Sequence, residues 1–314
     1  MRCLETEEFP YYPTDDVWRR EEFSKFIQYQ GNLWDDKIIK QTMHGLALSW
    51  SYMPHAFDVQ CGNMNTPLQT FLKDKEKIKK KMEQLGHVDS PSGLRKALKV
   101  MSGSQGVSNF RPTAAQAIYE KFMPDGGTTW DMSGGYGGRL LGAIKTHINY
   151  IATEPATLTF RGLTQMAEDW GNQSNLFGTK QKLEIIQSGS ENYVPKEDSL
   201  DLCFTSPPYF DTEKYSEEIT QSYKKFPTKV DWLEGFLRRT IKNCYFGLKK
   251  NRYLIINIAN VSSFDTLEDE TANIVLSEGF EYLDTFQLSL SKMPGKNLQG
   301  DMFKYEPIFL FRKK

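Results

Sequence analysis

The chain predicts an α/β fold, a doubly wound and mainly parallel sheet with helices on both faces, preceded by an α-rich N-terminal extension. Three observations carry this reading. From about residue 112, short apolar runs alternate with stretches of helical length. A glycine-rich turn stands between a β-prone run and a helix, and a second strand end is stopped by two consecutive prolines. Because both turns follow strands, both fall on the carboxyl edge of such a sheet, where ligands sit at the topological switch point.

In the first hundred residues, helical stretches are expected near 15–30 and 66–86, with a loop through Ser90-Pro91-Ser92-Gly93. The aromatics of this part (Trp18, Phe23, Phe26, Tyr29, Trp34, Trp50, Tyr52 and Phe57) read chiefly as core. Then come helix 113–122, strand 128–132, helix 138–146, strand 149–154, helix 158–170 and strands 183–187 and 200–204. Helix 229–247, strand 253–258, helix 266–278 and strands 280–288 and 305–312 complete the pattern. No helical pattern separates the last two strands, and polar, Gly- and Pro-bearing Ser289–Lys304 suits a hairpin-like antiparallel end. Residues 1–104 are thus expected to form the extension and 105–314 the catalytic domain.

Apolar residues make up 39% of the 314 and charged residues 25%, enough for an ordinary core. No apolar run has the length of a membrane span, and the start lacks the apolar core of a signal peptide, so a cytoplasmic protein is expected. The four cysteines and four histidines have no metal-ligand spacing, so neither zinc nor disulfides are expected. A net charge of −1 gives no global pull toward nucleic acid. Lys73–Lys99, however, holds nine Lys or Arg against four acids, a local balance of +5 (9 − 4) that suits either phosphate contact or a solvated helix face.

The first turn is Ser133-Gly134-Gly135-Tyr136-Gly137-Gly138-Arg139, between Thr128–Met132 and a helix opening at Leu140. Its glycines let backbone amides approach a ligand at the helix N-terminus. The next strand ends in Glu154, 23 positions after Asp131, where an acid can bind a ribose diol. A nucleotide-type cofactor follows, although glycines alone do not say which. For a nicotinamide dinucleotide the spacing is poor, since the third fingerprint position falls on Leu140.

The second turn, Thr205-Ser206-Pro207-Pro208-Tyr209, follows the apolar run 200–204. Prolines cannot donate to a sheet ladder, so the carbonyls here are left free to accept hydrogen bonds. Tyr209 beside them offers a flat stacking face. Such a platform suits a planar base with an exocyclic amino group, where the plain alternative is a strand-ending turn.

Together the motifs resemble the S-adenosylmethionine-dependent amino-methyltransferases that act on DNA bases, of the kind often encoded by phages and mobile elements. The resemblance rests on Ser206-Pro207-Pro208-Tyr209, more loosely on the turn from Asp131 to Gly138, and on Asn109–Thr113 ahead of the cofactor strand; it covers about residues 105–314. It implies the seven-stranded, Rossmann-like sheet of that family and S-adenosylmethionine as cofactor. The implied catalytic residues are Ser206, Pro207, Pro208 and Tyr209. Implied cofactor contacts are Asp131 (which either orients the loop or contacts the cofactor amino group), Ser133, Gly134, Gly135, Gly137, Glu154 and Phe110, with Ser190 or Glu191 near the adenine. A serine at the first platform position resembles the cytosine-N4 enzymes, with adenine N6 the alternative. The expected partner is double-stranded DNA with the target base flipped out. Recognition of the site then falls to residues 1–100 and the 210–228 segment, or to another chain, whether a second copy or a recognition subunit. Rival readings are an RNA-base or protein-glutamine methyltransferase and a catalytically silent DNA-binding protein of the same fold.

Overall fold

The computed structural model describes residues 8–87, 89–171, 180–290 and 304–314. Its strands, in chain order, are β1 (Trp34–Asp35), β2 (Ile38–Ile39), β3 (Gln60–Cys61), β4 (Thr128–Asp131), β5 (Asn149–Thr153), β6 (Leu183–Ile186), β7 (Leu200–Thr205), β8 (Glu213–Lys214), β9 (Leu248–Asn257), β10 (Phe280–Ser289) and β11 (Tyr305–Lys313). The main sheet runs β1-β2-β10-β11-β9-β7-β4-β5-β6. Its long part, from β10 to β6, has the seven expected strands, of which only β11 runs antiparallel to its neighbours. The N-terminal β1–β2 hairpin extends that core, β2 pairing parallel to β10. The chain therefore makes a nine-stranded sheet, not a sheet of seven.

The strand order fixes where a ligand can sit. From β4 the chain moves outward through β5 to β6, then returns to place β7 on the other side of β4. The switch point is the gap between the carboxyl ends of β4 and β7, and both motifs begin there. β7 is buried along its whole length, as a central strand covered on both faces must be. Helices α6 (Pro112–Phe122), α7 (Gly138–Lys145) and α8 (Thr157–Trp170) contribute to the core on one face. Trp232, Phe236, Ile241, Ile274 and Val275, from the later helices, build the core on the other.

Several local expectations change. The single helix at 66–86 is two, Pro67–Lys73 and Lys75–Gln84, because Asp74 leaves helical geometry to cap the second through the amide of Lys77. Ser90 caps a helix, Pro91–Lys99, where a loop was expected; proline fits the first helical position because its missing N–H has no partner to lose. The helix expected over 229–247 contains a π-helical stretch, Trp232–Arg238. The strand expected at 253–258 begins at Leu248, but 249–252 bulge out, with Asn251 left-handed at φ 62°, so only the later part is regular. β10 and β11 form the expected antiparallel hairpin; most of the Ser289–Lys304 connection lies outside the described residues.

Residues 1–104 are not one packing unit. Phe23, Phe26, Leu46, Leu48, Trp50 and Tyr52 join the core of the sheet's helical face. Phe71, Ile78, Met82, Leu94 and Leu98 close a separate cluster around Phe9.

Candidate active site

Asp131, the last residue of β4, is fully buried. Its Oδ2 accepts from Arg139 Nε at 2.7 Å and Tyr150 OH at 2.6 Å; its Oδ1 accepts from Thr205 Oγ1 at 3.0 Å and the Ser133 amide at 3.2 Å. With four donors satisfied inside the protein, this carboxylate is a tie between β4, β5, β7 and α7. Of the two roles the sequence leaves open for Asp131, orienting the loop or contacting the cofactor, its contacts match the first: it lies beneath the glycine turn and accepts from the Ser133 amide.

The glycines divide by role. Gly135 (φ 54°) lines the cavity described below and Ser133 lies beside it. Gly134 and Gly137 do not line it. A Cβ on Gly134 would stand 2.8 Å from Leu163, and one on Gly137 2.6 Å from Met166, so these positions let the turn press on α8. A side chain has no room at either position, which is why glycine stands there. Gly138 admits the Phe110 carbonyl at the start of α7 in the same way. Phe110 lines the cavity and meets Phe204 edge-on at 5.3 Å.

Glu154 stands just beyond β5, nearly buried. Its oxygens accept from the Gly135 amide at 3.2 Å and the Ala156 amide at 2.9 Å. No lysine or arginine forms an ion pair with it among the described residues. Burial therefore dominates and pushes its pKa up to about 7, against the pull of the two amides. Beyond β6, Ser190 Oγ lies 2.8 Å from Thr240 Oγ1, while Glu191 is ion-paired with Lys225 at 2.5 Å. Both line the cavity, each already engaged.

At the end of β7 the backbone leaves the sheet at Ser206. Pro207 is buried, and Ser206, Pro208 and Tyr209 are partly exposed on the cavity wall. The Tyr209 hydroxyl is 3.5 Å from the Asn257 carbonyl, at the outer limit of a hydrogen bond. Phe210 then takes φ 56°, a left-handed conformation uncommon for a bulky residue. Its ring is held between Trp232 and Phe264, each 6.1 Å away and nearly perpendicular. Burial of that ring stabilises the turn that presents Tyr209.

All of this opens on one cavity of about 780 Å³, lined by Ser133, Gly135, Glu154, Ser190, the Ser206–Tyr209 platform and Phe110. The 210–228 segment closes one side of it. Thr157 donates to Glu218 from its amide (2.9 Å) and hydroxyl (2.8 Å), Thr220 donates to the Pro155 carbonyl at 3.3 Å, and Lys225 holds Glu191. β8 in this segment pairs with β3, which brings the N-terminal extension to the site.

Sequence reading missed several lining residues. Gln221 is 4% exposed and its Nε2 has no partner among the described residues; the buried Tyr136 hydroxyl has none either. Glu213 and Glu306 also line the wall, and burial raises both, each adding to the pressure on Tyr209. Gln221 and Glu213 lie in the 210–228 segment that the sequence offers as a recognition element, though nothing there singles them out; nothing in the sequence marks Glu306, because only the fold carries it to the cavity. Among the described residues no group of three or more His, Cys, Asp or Glu converges as a metal set. No helix among them is long and apolar enough to cross a membrane.

Comparison with protein-family models finds no match, and comparison with curated proteins finds none. Among solved structures, the chain is similar to the 1,6-didemethyltoxoflavin-N1-methyltransferase of Burkholderia thailandensis (10% identity over 64% of this chain and 76% of that one, TM-score 0.42). It is similar also to the magnesium protoporphyrin IX methyltransferase of Synechocystis PCC 6803 (11%, 65% and 79%, TM-score 0.42). A third is an S-adenosylmethionine-dependent methyltransferase of Methanosarcina mazei (12%, 62% and 96%, TM-score 0.43). Likenesses of this strength carry no weight for the chemistry, which rests on the site itself.

Proposed function

We propose that this protein transfers a methyl group from S-adenosylmethionine to the exocyclic amino nitrogen of a flipped DNA base, cytosine N4 being the favoured target. The observation that supports this is the meeting of two motifs in one cavity. The glycine turn with Glu154 and the Ser206–Tyr209 platform arise at neighbouring strand ends and share the same walls.

The residues present fit the cofactor. Glu154 is an acceptor without a cation, suited to the two hydroxyls of a ribose. Gly135 leaves backbone open beside it, Phe110 offers an apolar edge, and Gln221 brings an amide donor without a partner. When bound, S-adenosylmethionine supplies an electrophilic methyl on its sulfonium.

The chain's own part in the reaction is placement. An amino nitrogen on an aromatic ring is a poor nucleophile because its lone pair is delocalised. In this reading the Ser206 side chain and the Pro207 carbonyl accept hydrogen bonds from the two amino hydrogens, which favours a pyramidal nitrogen and frees the lone pair. Tyr209 stacks on the base. Fixed acceptors of this kind act without reorganisation at the moment of reaction. Asp131 keeps the two halves in register, since Thr205, next to the platform, and Ser133, in the glycine turn, both donate to it.

The test is methyl transfer from labelled S-adenosylmethionine to unmethylated DNA, with the product digested to nucleosides. N4-methylcytosine is expected. N6-methyladenine would replace the base and keep the mechanism; no label in DNA, with cofactor binding intact, would overturn DNA as the substrate.

A further inference from the structure

We infer that Lys99, Ser104 and Arg111 form a phosphodiester-binding site on the cavity wall, which holds the backbone of the nucleic-acid strand whose base enters the cavity. This rests on the methyl-transfer reading above and names the chemistry that recognises the substrate's backbone.

All three residues line the cavity. Ser104 is 6% exposed, yet its hydroxyl has no hydrogen-bond partner among the described residues. Buried polar groups are nearly always satisfied, so a donor left open on a ligand cavity calls for an acceptor from outside. Arg111 precedes α6 with its side chain making no cap, and neither it nor Lys99 has an ion-pair partner among the described residues. Lys99 closes the helix Pro91–Lys99, its side chain ringed by protein yet still open to solvent. Burial lowers the pKa of both cations, and the nearby charge of Arg111 adds to the effect on Lys99.

The cavity's acids are engaged elsewhere. Glu154 holds the Gly135 turn, Glu191 is paired with Lys225, Glu213 bonds Tyr215, and Glu306 bonds Asn257. Two cations and an unpartnered hydroxyl lining one cavity match a phosphodiester: the guanidinium offers a fork, the ammonium a point charge, the hydroxyl a neutral donor. A polymer fits better than a lone phosphate because positive charge continues outward. The helix ending at Lys99 packs on Lys75–Gln84, where Lys77, Lys79 and Lys80 are exposed. The basic stretch at 73–99 thus becomes a track leading to the cavity.

The test is fluorescence anisotropy of a labelled DNA duplex and an RNA of the same sequence across a salt series, with melting temperature and S-adenosylhomocysteine binding measured on every variant. Lys99→Ala and Arg111→Ala are each expected to weaken binding roughly tenfold at low salt and to reduce the slope of log K against log salt by about one. Ser104→Ala should weaken binding with the slope kept, and Arg111→Lys should restore the slope. Whichever of DNA or RNA shows this dependence is the source of the phosphodiester. Unchanged affinity and slope in folded variants would overturn the site, as would a parent that binds neither nucleic acid. S-adenosylhomocysteine binding separates these outcomes from a failure of the cofactor reading, because its loss from the parent would strike that reading instead.

Discussion

The amide of Gly135 donates to Glu154 across 3.2 Å, tying the turn after β4 to the acid after β5. The bond joins a residue whose left-handed backbone favours glycine to a carboxylate without a counter-cation. It positions Glu154 on the cavity wall while leaving it short of donors. In the proposed function, the two ribose hydroxyls supply what the protein withholds.

That shortage gives Glu154 a signature in pH. Its pKa rises from about 4.5 unfolded to about 7 folded, so its favourable contribution is complete below the unfolded value and fades as pH climbs through 7. One pKa unit corresponds to about 1.4 kcal/mol, which makes the loss between pH 5 and 8 on the order of 3 kcal/mol. Glu154→Gln is expected to melt above the parent at pH 8, with the difference shrinking toward pH 5, and to bind S-adenosylhomocysteine at least about tenfold more weakly. Thermal melts of both proteins across that range check the sign; a difference that does not change with pH would remove the unpaired carboxylate from the account.

Tyr209 is expected to act through its ring. Its hydroxyl reaches the Asn257 carbonyl only at 3.5 Å and otherwise meets the Ser206 side chain, so Tyr209→Phe keeps the stacking face and should keep most of the activity. Tyr209→Ala removes a stacking face worth roughly 1–3 kcal/mol and should cost about ten- to a hundredfold in kcat/KM. Equal losses in the two variants would shift the role from stacking to the hydroxyl.

The sequence exposed the parts of this molecule whose chemistry is local. Alternating strands and helices announced the sheet, and Pro207-Pro208 and the glycine run marked the two strand ends that face each other. The roles inside the glycine turn were not readable, because Gly134 and Gly137 answer to Leu163 and Met166, far along the chain. The role of Asp131 stayed open for a related reason: an acid at a strand end looks the same whether it meets a ligand or, as here, Arg139, Tyr150 and Thr205. β1–β2 were illegible since two-residue strands have no periodicity of their own and depend on β10 for pairing.

Asp131 and Glu154 should therefore fail differently. Removing the charge of Asp131 leaves Arg139, 5% exposed, without its only close counter-ion among the described residues. Breaking a buried pair from one side costs about 3–5 kcal/mol. Asp131→Asn is expected to lower stability by that order in urea titrations, with cofactor binding lost through the disturbed turn. A stable Asp131→Asn protein that bound no S-adenosylhomocysteine would return this residue to the cofactor site.

Gln221 offers the opposite trade. Its amide is almost wholly buried and its Nε2 is without a partner, a state that costs the folded chain about 1–3 kcal/mol. Its neighbours tie the segment to the loops after β5 and β6: Thr220 bonds Pro155, and Lys225 pairs with Glu191. Gln221 and Glu154 line the same cavity, and a carboxamide can both donate to and accept from the edge of adenine. Gln221→Leu, similar in bulk, should leave the ligand-free protein as stable as the parent or more so. The same change should weaken S-adenosylhomocysteine by about tenfold, and the loss should be smaller for an analogue whose purine lacks a ring nitrogen that can accept from Nε2. A variant that lost stability but kept affinity would show that the amide serves the fold, because only a ligand-facing group can be removed at the ligand's expense alone.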